Sequence, residues 1–469
     1  MFTIAVLIQL CLNSVLAYPP RFYCAFLDTL HCRGGCKSSR PHASNMSTYS
    51  PSSPFTSVPP EIWLQIFQTA TYIAGEWDVS ATTHRQGLFN SWGPLQWLAY
   101  RVGLPLRRAI VQVSRLWWEV GSEVLYASFH ETVSHHRIEA SALDYFERSL
   151  SSRPALGRFV KRLTLTWPHN VYSGQIDHVL QLCPNALVLS FYNSTTPKQF
   201  PWEPTTLPGH VRILEAAVHG FNQKEIVQML SGLPGLEILH LSGLARGPEE
   251  SRHHGTLRLS LVRLLNLNFV DRQGLEYWTP LLTTADLPRL TSFSMDSDSG
   301  LEPLPIGICQ RLTFFKCSID DVSALKPEIF RSLTHLHLGT GVRSLRYQQN
   351  HFPFYQLHCL TISSWAMSYI PVSEWKQIAE GFLALPLKRT DMPLLQVLEL
   401  EWGGDGLQCN SMPISKHAQY LSFLDYLESA ALEFERLGIQ FQEVYGRSIY
   451  RMPTPIKDVI KNTRDNMHK

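Results

Sequence analysis

One apolar pattern recurs along most of the chain and restricts its fold more than any other feature. From Leu156 onward, the same order of residues recurs: one apolar residue, two spacers, a second apolar residue, two more spacers, and then an apolar, a polar and an apolar residue. The clearest copy spans residues 233–241. The second apolar position of successive copies recurs mostly every 21–28 residues or so, a period typical of stacked supersecondary units. These anchors are Val160, Ala186, Val211, Leu236, Val262, Leu290, Leu312, Leu333, Leu357 and Leu395. Such units bury their apolar sides only by stacking on their neighbours.

The last three residues of each copy alternate apolar, polar, apolar, which predicts a short strand. The middle residues are Thr164, Ser190, Glu215, His240, Asn266, Ser294, Lys316, His337, Thr361 and Glu399. The repeat resembles an irregular leucine-rich repeat domain, although it lacks the regular Asn of the consensus. The resemblance implies an α/β solenoid in which the middle residues face solvent on the concave side and helices such as 174–182 and 223–230 lie on the convex side. The candidate protein-binding residues are Glu215, His240, Asn266, Lys316, His337 and Glu399.

A different pattern precedes the repeats. Pro59 and Pro60 followed by Glu61 are suited to the first turn of a helix, where a missing N–H is tolerated and an acid favours the dipole. The following residues, to Phe67, are apolar almost without a break, so two faces of this helix require burial. We expect one face to pack on its own domain and the other on a partner protein. A second helix is predicted over 104–129, with an apolar stripe at Leu106, Ile110, Val113, Trp117, Val120 and Val124.

These segments resemble the F-box, in the F-box-like form common in fungal proteins. The residues that carry the resemblance are Pro59-Pro60-Glu61-Ile62 with Ile66-Phe67, then Val113-Ser114-Arg115-Leu116-Trp117, then Val124-Leu125-Tyr126. The chain departs from the family pattern at Val58, at Ser114 and by an insertion at about 75–103. The resemblance implies docking on a Skp-type adaptor of a cullin-RING ubiquitin ligase through Pro59, Pro60, Ile62, Ile66, Phe67, Val113 and Trp117.

The predicted organisation is therefore a leader at 1–54, an F-box-like all-α module at 55–130, a leucine-rich-repeat-like solenoid at 150–412, and a helical cap with a polar tail at 413–469. The cap helix is predicted over 418–437, and residues 457–469 are expected to fray. By resemblance, the repeats hold a protein substrate and other subunits transfer ubiquitin. The chain is then a non-catalytic adaptor in the cytoplasm or nucleus.

The leader supports an alternative. Residues 2–17 are apolar and end in small residues, as in a secretory signal, although no Lys or Arg precedes them. A secreted or surface leucine-rich-repeat scaffold is the corresponding function. We interpret Met46 as the more natural start, because an F-box would serve no purpose in the secretory pathway.

Composition limits the remaining classes of function. The 41 basic and 39 acidic residues nearly cancel, so no strong attraction to nucleic acid or membrane follows. Nine scattered cysteines suit buried free thiols better than a disulfide framework. His335 and His337 share a strand face, but no third metal ligand is evident, and Cys32 and Cys36 lack a second pair. We predict no metal, no cofactor and no catalytic residue; an enzyme with a dispersed active site is the remaining rival.

Overall fold

The computed structural model describes two compact units. One unit comprises residues up to Tyr72 together with Leu98–Ala127, and the other comprises Ile73–Trp97 and Ser128–Lys469. The predicted leader at 1–54 lies outside the described residues. The described residues are 58–71, 94–131, 142–167, 173–193, 209–248, 250, 252–253, 255–270, 272–296, 304–318, 325–326, 328–340, 354–364, 390–402, 417–445 and 454–467.

The described part of the first unit contains three helices: α1 (Pro60–Thr71), α2 (Pro94–Gln112), which enters the unit at Leu98, and α3 (Arg115–Tyr126). Their apolar faces meet in one cluster around Trp63, Phe67, Ile110 and Val124. Arg107 on α2 is fully buried, donates from Nη2 to the Thr71 carbonyl at 3.0 Å and stacks on the Tyr100 ring. That bond satisfies one of the carbonyls that the C-terminus of α1 leaves open.

The single helix predicted over 104–129 is wrong. The structure ends α2 at Gln112 and begins α3 at Arg115, because Ser114 adopts an extended conformation and its side chain accepts from the Trp117 amide at 3.2 Å. Serine at this position is a strong helix N-cap. The predicted insertion at about 75–103 also changes, since α2 already begins at Pro94. Tyr100, within that segment, packs in the core at 6% exposure.

The second unit is built on one 13-stranded sheet whose strands follow chain order. Successive strands pair in parallel, except for the short antiparallel pair at the C-terminal end. The strands are β1 Ser128–His130, β2 Arg162–Trp167, β3 Val188–Asn193, β4 Ile213–Ala217, β5 Ile238–Leu244, β6 Leu264–Phe269, β7 Ser292–Asp296, β8 Phe314–Ser318, β9 His335–Thr340, β10 Cys359–Ser364, β11 Val397–Trp402, β12 Gln440–Tyr445 and β13 Thr454–Pro455.

Helices occupy several of the connections between strands. The predicted helices at 174–182 and 223–230 are present as Ser173–Leu182 and Gln223–Ser231, and the second begins with a reciprocal capping box between Asn222 and Glu225. The helices in the described part of this unit are α4 Ala142–Ser152, α5 Ser173–Leu182, α6 Gln223–Ser231, α7 Arg272–Thr283, α8 Ile306–Cys309, α9 His417–Arg436 and α10 Ile456–Met467, with a 3₁₀ helix at Pro154–Phe159. No helix in these described stretches is long and apolar enough to cross a bilayer.

The apolar residues of the repeat are buried throughout the sheet. All ten anchor residues are at most 2% exposed, and the apolar residues on either side of each middle position are likewise buried. The predicted burial of the anchors and of the apolar residues beside each middle position is therefore confirmed. Cys183, Cys309, Cys317 and Cys359 are buried free thiols, and burial raises the pKa of Cys183 to about 12 and that of Cys309 to about 11.

Both ends of the sheet differ from the prediction. The structure adds β1 before the first predicted strand, and β12 and β13 after the last. The frayed tail predicted over 457–469 is wrong, because α10 buries Ile456, Val459 and Ile460 to 1–3% exposure. These three positions lie three and four residues apart or adjacent, so they form one apolar stripe that a count of charged residues does not reveal.

Candidate binding surfaces

Helix α1 divides its apolar residues between two faces. Trp63 and Phe67 are buried, and each ring centroid lies 4.8 Å from that of Trp117 on α3. Ile62 is 43% exposed on another side of the helix. Ile66, one turn further along and 40° away around the axis, is half-buried. One face thus forms the core of the unit, and the adjoining face presents apolar surface to solvent.

The seven predicted docking residues therefore separate into two groups. Pro59, Pro60, Ile62 and Val113 are exposed, Val113 at 59%. Phe67 and Trp117 belong to the aromatic core, and Ile66 lies between the two groups. Val113 leaves the predicted apolar stripe because the Ser114 cap interrupts the helix directly after it. The other five residues of that stripe all join the core cluster.

The opposite surface of the sheet, which we call the polar face, carries the ten middle residues. They pair in register across consecutive strands, from Thr164 beside Ser190 to Thr361 beside Glu399. His130 on β1 and Gln442 on β12 extend this row by one position at each end. We call the twelve residues the polar ladder. The pairing brings the six predicted binding residues onto one face in one row.

The expectation that this row faces solvent is wrong. Glu215, His240, Lys316, His337 and Glu399 are only 2–8% exposed, and among the predicted binding residues only Asn266 is half-buried. Period-two alternation identifies the face on which a side chain lies. It carries no information about whether that face is covered.

A buried ionic network lies at the N-terminal end of the polar ladder, on strands β2 to β5. We call it the N-terminal polar cluster, and its residues are Arg162, Thr164, Ser190, Glu215 and His240. Arg162 Nη2 lies 2.5 Å from Glu215 Oε2, and Ser190 Oγ donates to the same oxygen at 2.6 Å. Arg162 also donates to Ser190 at 2.8 Å and to Thr164 at 3.3 Å. The charges on both sides of this ion pair are satisfied inside the chain.

His240 lies in register beside Glu215 on the adjacent strand. Burial lowers its pKa below the usual value for histidine; the nearby Glu215 carboxylate opposes that shift and Arg162 adds to it. The imidazole is therefore neutral at pH 7. Its Nδ1 is buried without a hydrogen-bond partner.

A second network lies at the C-terminal end of the polar ladder, on strands β9 to β12. We call it the C-terminal polar cluster, and its residues are His337, Thr361, Glu399, Glu401 and Gln442. Glu399 accepts from Thr361 Oγ1 and from Gln442 Nε2, both at 2.9 Å. His337 Nε2 lies 3.3 Å from Glu401 Oε2. This cluster contains two carboxylates and no arginine, whereas the N-terminal polar cluster contains one of each charge.

An apolar row runs beside the polar ladder on the same face, two residues earlier on β3, β4, β5, β6 and β8. Val188, Ile213, Ile238, Leu264 and Phe314 form one cluster with exposures of 0–5%. Arg162 occupies the corresponding position on β2, where it is in register with Val188. Sequence reasoning missed Arg162 as part of the network. The available signal was its position two residues before Thr164, which places it on the same face.

Within the ranges given above, no group of three or more His, Cys, Asp and Glu side chains is placed to hold a metal ion. His335, one of the predicted pair, instead stacks on the Phe314 ring with centroids 6.4 Å apart and contacts Thr334. Comparison of the chain with known protein families and with curated proteins found no match.

Proposed function

We propose that this chain is a substrate-recognition adaptor of a cullin-RING ubiquitin ligase. The helical unit is then an F-box-like module that docks on a Skp-type adaptor, and the parallel sheet with its helices is a leucine-rich-repeat solenoid that holds a protein substrate. Other subunits supply the ubiquitin-transfer chemistry, so the chain itself acts without a catalytic residue.

The observation that carries this proposal is the division of α1 into two faces. Trp63 and Phe67 anchor the helix to α3, so the exposure of Ile62 is not a consequence of a loosely packed helix. Exposed large apolar side chains on a small folded unit favour a protein partner when they cluster, whereas single ones are ordinary. The four exposed docking residues are all apolar, and they lie at the start of α1 and between α2 and α3.

The regular rungs support the second half of the proposal. The ten strands from β2 to β11 each repeat a buried anchor, two buried apolar strand residues and a polar residue between them, and each strand pairs with the next in chain order. Repeat proteins stabilise such units through nearest-neighbour contacts and use their extended surfaces for binding.

The test is co-purification of the full chain with a Skp-type adaptor by size-exclusion chromatography. Ile62→Lys should abolish the complex, because a charge placed at an apolar contact loses hydrophobic burial and requires desolvation. Since Ile62 is exposed in the free chain, its replacement should leave folding intact.

Gln68→Lys is the matched control. Gln68 is exposed on α1, about 120° around the axis from Ile62, and its amide already lies beside Glu123. A folded Ile62→Lys chain that still binds the adaptor as well as Gln68→Lys would contradict the proposed docking face.

A further inference from the structure

The turns that precede the strands stack in a continuous row. In the turns before β7 to β11, each anchor amide donates to the carbonyl three residues earlier, at 3.1–3.3 Å. The residue after the anchor donates to its counterpart in the preceding turn, and from Thr313 to Gln396 these bonds measure 2.8–3.0 Å. Equivalent positions of successive turns therefore lie one strand spacing apart, about 4.8 Å.

Five exposed side chains in this row change in character along it. Arg289 and Arg311 directly precede their anchors in the turns before β7 and β8, and Arg331 lies two residues before its anchor in the next turn. Tyr355 and Leu394 occupy the same two positions in the turns before β10 and β11, and they are 60% and 41% exposed. We call these five residues the turn edge. Its first three turns are basic, and the next two are apolar.

The recorded hydrogen bonds of the arginines on the turn edge go to the backbone. Arg311 donates from Nη2 to the Leu287 carbonyl at 3.1 Å, and Arg331 donates from Nε to the Glu328 carbonyl at 2.9 Å. A main-chain carbonyl carries no formal charge, and a guanidinium has five N–H donors. Each of these arginines therefore keeps its positive charge and further donors for another group.

The acidic residues described in the same turns each have a basic residue nearby. Asp286 pairs through its backbone with Arg258 of the preceding turn, and Glu328 lies two residues from Lys326. With these residues set against each other, the three arginines of the turn edge remain as an excess of positive charge. That excess extends over two strand spacings, about 10 Å.

We propose that the turn edge binds a short extended segment of the substrate in which Asp or Glu residues adjoin apolar ones, an assignment that rests on the proposed function. Carboxylates complement the charge of the three arginines, and they match the planar fork of a guanidinium. Tyr355 and Leu394 supply apolar contact beyond Arg331. The acidic and apolar parts of the segment therefore bind in a fixed order along the edge.

The dimensions of the turn edge set the length of the segment. Four strand spacings separate the turn before β7 from the turn before β11, which is about 19 Å. An extended chain covers about 3.3 Å per residue, so about six residues reach from Arg289 to Leu394. Nucleic acid fits less well, because its phosphates repeat along the whole contact, whereas the positive charge of this edge ends at Arg331.

The turn edge is more accessible to a substrate than the polar face. The N-terminal polar cluster on that face satisfies its own charges, and Glu215 and Glu399 are at most 8% exposed. A substrate would have to separate existing bonds to reach them. The five side chains of the turn edge are exposed in the folded chain.

The test is selection of displayed random 12-residue peptides on the full chain, followed by affinity measurements. We expect the selected peptides to contain an acidic block beside an apolar block and to bind more weakly as salt rises. Arg289→Glu/Arg311→Glu should weaken binding about tenfold or more, because repulsion replaces attraction. The matched control is Arg148→Glu/Arg436→Glu, which makes the same change in net charge at exposed arginines on α4 and α9.

Tyr355→Ser tests the apolar part of the turn edge. It should weaken peptide binding about threefold to tenfold, because the apolar area that the ring buries on binding is lost. Its matched control is Leu432→Ser, which removes another exposed apolar side chain, on α9, and should leave the affinity unchanged.

Arg289→Gln keeps the test decisive if the double variant fails to fold, since it changes one exposed side chain and should still weaken binding about threefold. The proposal is overturned if no peptide is selected, if the selected peptides lack an acidic block, or if the turn-edge variants bind as tightly as their controls. Equal competition by a twelve-nucleotide oligothymidylate would also overturn it, because the edge would then bind polyanions in general.

Adaptor co-purification of the same variants distinguishes this proposal from the ligase role. Unchanged peptide binding by Arg289→Glu/Arg311→Glu, with adaptor binding retained, removes the turn edge alone. Absence of adaptor binding in the wild-type chain removes the ligase role, while a specific loss of peptide binding in the variant would still establish the turn edge as a site for acidic segments.

Discussion

The helical unit and the polar face of the sheet differ in the side chains that they place against the usual preference: the first exposes apolar residues, and the second buries charged ones. In the helical unit, apolar residues that the core does not use remain at the surface, as Ile62 and Val113 show. On the sheet, charged residues that water could solvate are buried and bonded to each other, as Arg162 and Glu215 show. The first arrangement leaves contacts for a partner to complete. The second is complete within the chain.

The difference indicates two kinds of constraint. An exposed apolar residue adds little to the stability of the free chain, so its replacement should affect association and not folding. A buried ion pair has the reverse effect, because removal of one partner leaves the other charge uncompensated. Substitutions in the two regions should therefore separate stability from binding.

The largest expected effect comes from Glu215→Ala. Arg162 would remain buried without its carboxylate partner, and breaking such a pair costs about 3–5 kcal/mol. Glu237→Ala is the matched control, since Glu237 pairs with Arg212 at a partly exposed site and should cost about 1 kcal/mol or less. Urea unfolding of the full chain measures both. Equal losses would contradict a specific role for the buried network.

The double variant Arg162→Met/Glu215→Leu tests the same buried ion pair in a second way. Replacing a buried ion pair by apolar residues of similar volume is often close to neutral. The double variant should therefore recover most of the stability that Glu215→Ala loses. Failure to recover would indicate that the hydrogen bonds to Ser190 and Thr164 stabilise the network more than the ion pair itself does.

Trp117→Ala should have the next largest effect, on the helical unit. The Trp117 ring contacts both Trp63 and Phe67, and truncation of a large core aromatic costs about 3–5 kcal/mol. We expect the lower end of that range because the side chain is half-buried. Hydrogen exchange of the α1 amides measures the local loss and should show faster opening.

Trp118→Ala provides the control for that measurement. Trp118 is the neighbouring residue of the same type and is also half-buried, but the aromatic cluster around Trp63 contains Trp117. Exchange at α1 should change less in Trp118→Ala. Equal acceleration in both variants would mean that Trp117 does not anchor α1 as its ring distances indicate.

Much of the sheet was predictable because each rung repeats the same apolar spacing. The anchors from Val160 to Leu395 and the ten middle residues fall where that spacing puts them. The terminal strands were missed because they follow the spacing poorly. On β12 the second inward position is Glu443, which is buried at 4%, and β1 has only three residues.

The candidate site was less predictable, for two physical reasons. Helical periodicity continues through Val113, but a side-chain cap at Ser114 ends one helix and starts another, which changes the phase of the stripe. On the sheet, alternation assigns a face to Glu215 and His240, whereas their burial depends on contacts between residues far apart in the chain. The Arg162–Glu215 pair joins residues 53 positions apart, and no local pattern encodes it.

The smallest expected effect concerns the pH dependence of the unfolding free energy. It tests whether protons reach the buried polar face. Burial lowers the pKa of His240 in the folded chain below its unfolded value. Below about pH 6.5, the unfolded chain therefore binds a proton at this residue that the folded chain does not. The resulting loss of stability begins as the pH falls through the unfolded pKa and continues down to the folded pKa. Above both values His240 adds no pH dependence.

His240→Gln removes this titration and keeps a neutral polar side chain of similar size in the ladder. Unfolding free energies measured between pH 7.5 and 5 should fall less steeply for the variant than for the wild-type chain. The difference between the two profiles isolates His240 from every other titrating group, since those remain in both chains. Parallel profiles would show that the imidazole gains a proton as readily when folded as when unfolded. The face beside Glu215 would then admit water, and the contrast with the open helical unit would no longer hold at this position.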